Sequence, residues 1–220
     1  MRRLITLAAI AAATLGVAVT VDSTSAGAAR GDAPTQITIV RPVNGAGYAR
    51  TGFTVRAEPT GGVDCSFADP SPAAVSPNIE WCSPSAAYAV ACWNAHAAGK
   101  VLCMRNPRAR KLVRIPRLGG FAPTGLAPQR ERAPLSMVLG NSDSCSIRDG
   151  GTGAIRIDHP QWIATYYCDS GKIIWMRPGD HHLGIFERFP TWSVVVAGAS
   201  GPISARHVAR AWFVGTYTGG

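Results

Sequence analysis

The chain reads as a series of short extended segments. Residues 36–40 alternate polar and apolar positions, and 52–57 are a further short extended stretch. Segments 87–93 and 100–105 flank a turn at 95–99. Segments 162–168 and 172–177 face each other across Asp169-Ser170-Gly171, a hairpin signal. In the second of these, Ile173 and Trp175 point one way and Ile174 and Met176 the other, so both faces should be buried. Segments 135–139, 192–197 and 211–217 complete the predicted strands. Beyond the N-terminal run, 204–214 is the best helical candidate, but its Trp212-Phe213-Val214 end prefers a strand. The pattern predicts an all-β or mainly β fold.

The first 28 residues fall outside that pattern. Met1-Arg2-Arg3 is followed by an apolar, Ala-rich run to Val21, then small residues ending in Ala26-Gly27-Ala28. This predicts a Sec-type signal peptide over 1–28, cleaved after Ala28, with an uncleaved anchor as the competing reading. No apolar run of membrane length follows residue 21, which argues against a polytopic membrane protein. An 8% aromatic and 46% hydrophobic content excludes a wholly disordered chain.

Six cysteines follow, Cys65, Cys82, Cys92, Cys103, Cys145 and Cys168, with no C-x-x-C pair. In an exported chain an even count predicts three disulfides rather than a metal knuckle. A loose internal repeat bears on the pairing. Cys65-Ser66-Phe67-Ala68-Asp69 matches Cys145-Ser146-Ile147-Arg148-Asp149, and Trp81 matches Trp162. Cys92 before Gly99-Lys100 matches Cys168 before Gly171-Lys172, and 112–116 matches 185–190. If bonded cysteines appear and vanish together, the pairs are Cys65–Cys92, Cys82–Cys103 and Cys145–Cys168. Sequential pairing, Cys65–Cys82 and Cys92–Cys103, is the rival, and Cys145–Cys168 is common to both.

The repeat divides the chain into a flexible N-terminus and first strand over 29–50, a β-rich unit over 51–118, a Gly/Pro-rich linker over 119–134, and a second β-rich unit over 135–220. Units of this size are marginal alone, so two similar hairpin-containing units sharing one core are expected, held by disulfides.

Several stretches of the second unit together carry a resemblance: 135–139 leading to Cys145-x-Ile147-Arg148-Asp149-Gly150-Gly151, then Trp162, Tyr166-Tyr167-Cys168, Trp192-Ser193-Val194 and the ending 211–216. They resemble conserved secreted proteins of unknown function from mycobacteria and related actinobacteria. The resemblance implies export and the Cys145–Cys168 bond; the family has no assigned activity or catalytic residues, so it leaves the biochemistry open.

Charge directs the search for a site. Lys and Arg number 22 against 13 Asp and Glu, and removal of 1–28 leaves +8. Such a balance favours anionic envelope polymers or lipid headgroups, without specific nucleic-acid recognition. The densest cluster is Arg105, Arg108, Arg110, Lys111, Arg114 and Arg117, whose guanidinium groups suit phosphates and carboxylates. Other groupings are weaker. Ser200 lies outside any G-x-S-x-G context, with His159 beside Asp158, or His181 and His182 beside Asp180, as candidate bases. Asp180-His181-His182 with His159 and Glu187 is the one metal-like grouping, but adjacent strand residues face opposite ways. Arg30-Gly31-Asp32 is a short motif that arises easily by chance. Trp81 is the best exposed aromatic for a sugar platform, Trp93, Trp162, Trp175 and Trp192 reading as core. No catalytic residue, metal or cofactor is assigned. The expected function is non-catalytic binding of an anionic or glycan envelope component, with a secreted hydrolase as the alternative.

Overall fold

Alternating side chains on short strands bury two faces here, because each sheet closes on itself and also packs against its neighbour. The computed structural model describes residues 33–57, 61–83, 89–148, 154–188 and 190–219. The expected signal peptide, Arg30-Gly31-Asp32 and residues 149–153 lie outside the described residues. Strands make up 52% of the structure and helix 5%, so the fold is mainly β as the pattern predicts.

The first sheet contains β2 (Thr54–Ala57), β3 (Val63–Pro70), β4 (Glu80–Ser83), β5 (Cys92–Asn94), β6 (Lys100–Cys103) and β7 (Lys111–Leu118). Strands run in the order β7-β3-β4-β5-β6 and return to β7, with β2 parallel to β7. The second sheet contains β1 (Gln36–Asn44), β8 (Ser136–Leu139), β9 (Ser144–Ile147), β10 (Ile155–Arg156), β11 (His159–Cys168), β12 (Ile173–Met176), β13 (Ile185–Arg188), β14 (Thr191–Ala197) and β15 (Ser204–Tyr217). Its closed ring is β15-β8-β9-β11-β12-β14, again returning to the start. The length of β15 makes this possible. Residues 204–208 pair with β14, while 210–217 pair in parallel with β1. The helical candidate at 204–214 is thus strand throughout, as its aromatic end favours.

One core joins the two sheets. Trp93, Leu102 and Leu112 from the first pack in the same buried cluster as Met137, Tyr166 and Val208 from the second. Backbone bonds from Val75 N to Val214 O and from Val214 N to Ala73 O tie the β3–β4 connection to the end of β15. The opposite face of β5 to β7 forms a smaller cluster around Val63, Val101, Ile115 and four cysteines. A third cluster takes Ile173 and Trp175, while Ile174 faces the shared core, so β12 is buried on both faces as its sequence requires. Arg156 sits fully buried against this third cluster. Its guanidinium lies 5.6 Å from the Trp162 ring and 6.0 Å from Trp175, and its Nε is 2.7 Å from Asp158 Oδ1. Residues 119–134 form no strand; Ala133 N donates to Pro72 O and Asn78 N to Thr124 O, so this segment straps onto the first sheet.

The disulfides are Cys65–Cys82, Cys92–Cys103 and Cys145–Cys168, with Cα separations of 4.6, 4.0 and 3.9 Å. The pairing drawn from the repeat, Cys65–Cys92 and Cys82–Cys103, is therefore corrected to sequential pairing, with Cys145–Cys168 retained. The reason is sheet order. β4 lies between the strands of Cys65 and Cys92, and β5 lies between those of Cys82 and Cys103. Two strand spacings of about 4.8 Å exceed disulfide reach. Each observed bond instead joins immediate neighbours. Cys65 on β3 bonds β4 much as Cys145 on β9 bonds β11, so Cys82, and not Cys92, is the counterpart of Cys168.

Candidate functional site

Where β1 runs parallel to β15, the loop before β2 and the turn at Pro107–Ala109 close over the strand edge and leave a groove of about 750 Å³. Five arginines line it: Arg41 from β1, Arg50 from the loop, Arg108 and Arg110 from the turn, and Arg210 from β15. Among the described residues that line it there is no carboxylate. Apolar side chains of Ile39, Phe53, Val138 and Trp212 complete its surface.

Several of these guanidinium groups are held in place. Arg210 donates from Nε and Nη2 to Gln36 Oε1 at 3.1 and 2.7 Å. Arg108 donates to the Ser144 hydroxyl, and its Nη2 lies 4.0 Å from the exposed Asp169 carboxylate. Arg108 and Arg210 also lie 5.9 and 5.6 Å from the Trp212 ring, and Arg50 lies 3.7 Å from that of Tyr217. Stacking on aromatic faces orients a planar cation without consuming all of its donors. Asn106 Oδ1 accepts from Arg108 N, and Arg110 takes a left-handed φ of 50°, which together set the turn that presents both side chains.

The linear cluster singled out in the sequence is only partly gathered here. Arg108 and Arg110 line the groove. Arg105 lines a separate hollow with Arg148, Tyr167 and Asp169. Strand alternation in β7 sends Lys111 and Arg117 to one side and Arg114 to the other. Arg117 donates to Asn94 Oδ1 at 3.2 Å, beside the Phe121 ring. Sequence reasoning missed Arg41, Arg50 and Arg210, which lie 58 to 102 residues from Arg108 and Arg110 and reach the same groove only through the tertiary fold.

The other groupings resolve individually. His159 stacks on Trp162 with ring centroids 4.6 Å apart, Asp158 is held by Arg156, and Ser200 is exposed; no hydrogen bond joins the three among the described residues. Among the described residues, the groups of three potential ligands within 4.8 Å are Cys65–Glu80–Cys82 and Asp143–Cys145–Cys168, which contain none of Asp180, His181, His182, His159 or Glu187. All four cysteines in those groups are oxidised. Trp175 is fully buried, Trp93 and Trp162 nearly so, and Trp192 half-buried, while Trp81 borders a second cleft together with Asp180, His181 and His182.

Glu80 was not a sequence candidate. It is fully buried next to Cys65 and Cys82, and neither carboxyl oxygen has a hydrogen-bond partner among the described residues. Burial pushes its carboxyl up to about 7, against the opposing pull of the Arg117 charge. A single acid in an otherwise hydrophobic strand position was the available signal.

Fold and groove together define a mainly β protein of two joined, closed sheets with a guanidinium-lined cleft. No family model, curated protein or solved structure matches the chain.

Proposed function

We propose that this is an exported, non-catalytic binding module for an anionic component of the cell envelope, a phosphate- or carboxylate-bearing polymer captured in the arginine groove. The observation that carries the reading is the convergence of five arginines with no carboxylate among the described lining residues. Guanidinium groups bind such anions through paired, charge-assisted hydrogen bonds. Three disulfides support a destination in an oxidising compartment. No helix among the described residues is long and apolar enough to cross a membrane. The resemblance to secreted actinobacterial proteins supports the same destination.

Replacing Arg41, Arg110 and Arg210 together by Gln should weaken retention on purified anionic wall polymer about thirtyfold, at ~0.7 kcal/mol for each exposed guanidinium. A Lys111→Gln/Arg114→Gln control should change it little, and wild-type retention should fall steeply with salt. Equal retention by both variants, or retention indifferent to salt, overturns the groove as the site. Parallel arms with anionic lipid vesicles separate polymer from headgroups. Product release in a broad hydrolase screen would overturn the non-catalytic reading.

A further inference from the structure

The second cleft, of about 710 Å³, lies between the β3–β4 pair, the segment around Pro128 and the turn before β13, and shares no lining residue with the arginine groove. We propose that it is a carbohydrate subsite, in which an uncharged sugar ring stacks on Trp81 while its hydroxyls bond to Asp69 and His182.

Sheet register places the first two groups together. Asp69 on β3 is paired directly with Trp81 on β4, so the carboxylate stands beside the indole on the same face. Neighbouring Glu80 and Cys82 point to the other face, into the first sheet's own core. Indole and carboxylate side by side is what a sugar asks for: an apolar face against its axial C–H groups, and an acceptor at the edge for its hydroxyls.

The third group is fixed by an unusual turn. His182, Leu183 and Gly184 have successive φ values of 50°, 54° and 86°. Two non-glycine residues in the left-handed region cost about 1–2 kcal/mol each. Gly184 is needed because a Cβ there would sit 3.0 Å from Trp175 O. The turn persists because the Thr165 hydroxyl donates to Leu183 O at 2.8 Å and Gly184 N donates to His181 O at 2.9 Å. Its consequence is the orientation of His182. Nδ1 lies 2.9 Å from Arg132 O, an atom that can only accept, so the proton resides on Nδ1 and Nε2 is left to meet a ligand.

The charges around the cleft select against a strongly ionic occupant. Arg130 Nε lies 3.6 Å from Glu131 Oε1. Asp180 accepts from the Arg177 backbone and side chain at 2.8 and 3.2 Å. With those carboxylates compensated, Asp69 is the acceptor that remains, and Met176, Leu183 and Pro72 give an apolar wall. Such a surface suits a hydroxyl-rich ring and contrasts with the five arginines of the groove.

The test uses the oxidised protein and four tetrasaccharides, β-linked N-acetylglucosamine, β-linked glucose, α-linked glucose and α-linked mannose, titrated by calorimetry and protein-observed NMR. At least one should bind with a dissociation constant unchanged by salt. Trp81→Ala should weaken it at least about tenfold, Trp81→Phe should recover most of that loss, and Asp69→Asn and His182→Gln should each weaken it several-fold. The Arg41/Arg110/Arg210 variant should bind as wild type, so this outcome and that of the groove experiment are independent. No binding of any of the four at about 10 mM, the weak end of single-site sugar affinities, overturns the proposal. So does binding that survives Trp81→Ala or that vanishes with salt. If Trp81→Ala does not fold, the exposed Asp69→Asn decides the matter alone, unchanged affinity counting against the subsite.

Discussion

Raising the pH from about 5 to about 8 should destabilise this protein by up to about 3 kcal/mol through Glu80 alone, and Glu80→Gln should remove that part of the pH dependence. The carboxyl is shifted from an ordinary value of 4.5 up to about 7 by burial, the Arg117 charge opposing the shift. In the unfolded chain the group loses its proton near 4.5, whereas the folded state keeps it until about 7. Between those limits the native state binds more protons, so stability falls as pH rises. The contribution is fully present below the lower value and is lost as pH passes through the upper one. Above it, a charged carboxylate without a hydrogen-bond partner occupies the interior beside the Cys65–Cys82 bond, an arrangement that costs several kcal/mol unless relieved. Urea midpoints of wild type and Glu80→Gln across this range give the answer. Since other groups titrate too, the difference between the two curves is the readout, and parallel curves would show that Glu80 is not held neutral by the fold.

Loss of the Cys145–Cys168 bond is expected to cost about 3 kcal/mol, measured as the shift in urea midpoint of a Cys145→Ala/Cys168→Ala variant. The bond closes a 23-residue separation and joins β9 to β11 at a directly opposed pair in the ring of the second sheet. Cys92–Cys103 closes only 11 residues across a hairpin already set by its turn. Its removal should cost about half a kcal/mol less in the chain-entropy description. A loss below about 1 kcal/mol for the first variant would show that the second sheet holds its register without the covalent link. Non-reduced peptide mapping should recover Cys65 with Cys82 and Cys92 with Cys103.

Much of the architecture was legible along the chain because alternation and β-branched or aromatic content report directly on strands. The segments at 36–40, 162–168 and 192–197 all lie in observed strands, and 172–177 contains β12. The strands that escaped notice are instructive. β3 carries Asp64, Ser66 and Asp69 and the four-residue β9 carries Ser144 and Ser146, and inward positions of the two are filled by Cys65 and Cys145, residues weighed as bridge-formers rather than as apolar side chains. β10, of two residues, has too little sequence to show a period. Among the candidate binding residues, Trp81 was recognisable because it stands apart from the strand-centre tryptophans, whereas the arginine groove was not.

By itself the sequence determined the mainly β class, the presence of three disulfides, the two-sided burial of β12 and the cationic character of the chain. Each depends on residue type and on neighbours a few positions away, which is the range over which strand periodicity and composition act. Tertiary structure alone decided which cysteines meet, which arginines converge, and that Asp69, Trp81 and His182 face one cleft. Those outcomes follow from strand order and register: each disulfide here joins adjacent strands, and a groove draws on whichever strands the ring brings side by side. Sheet closure is a cooperative property of all its strands, and no local stretch of sequence encodes it.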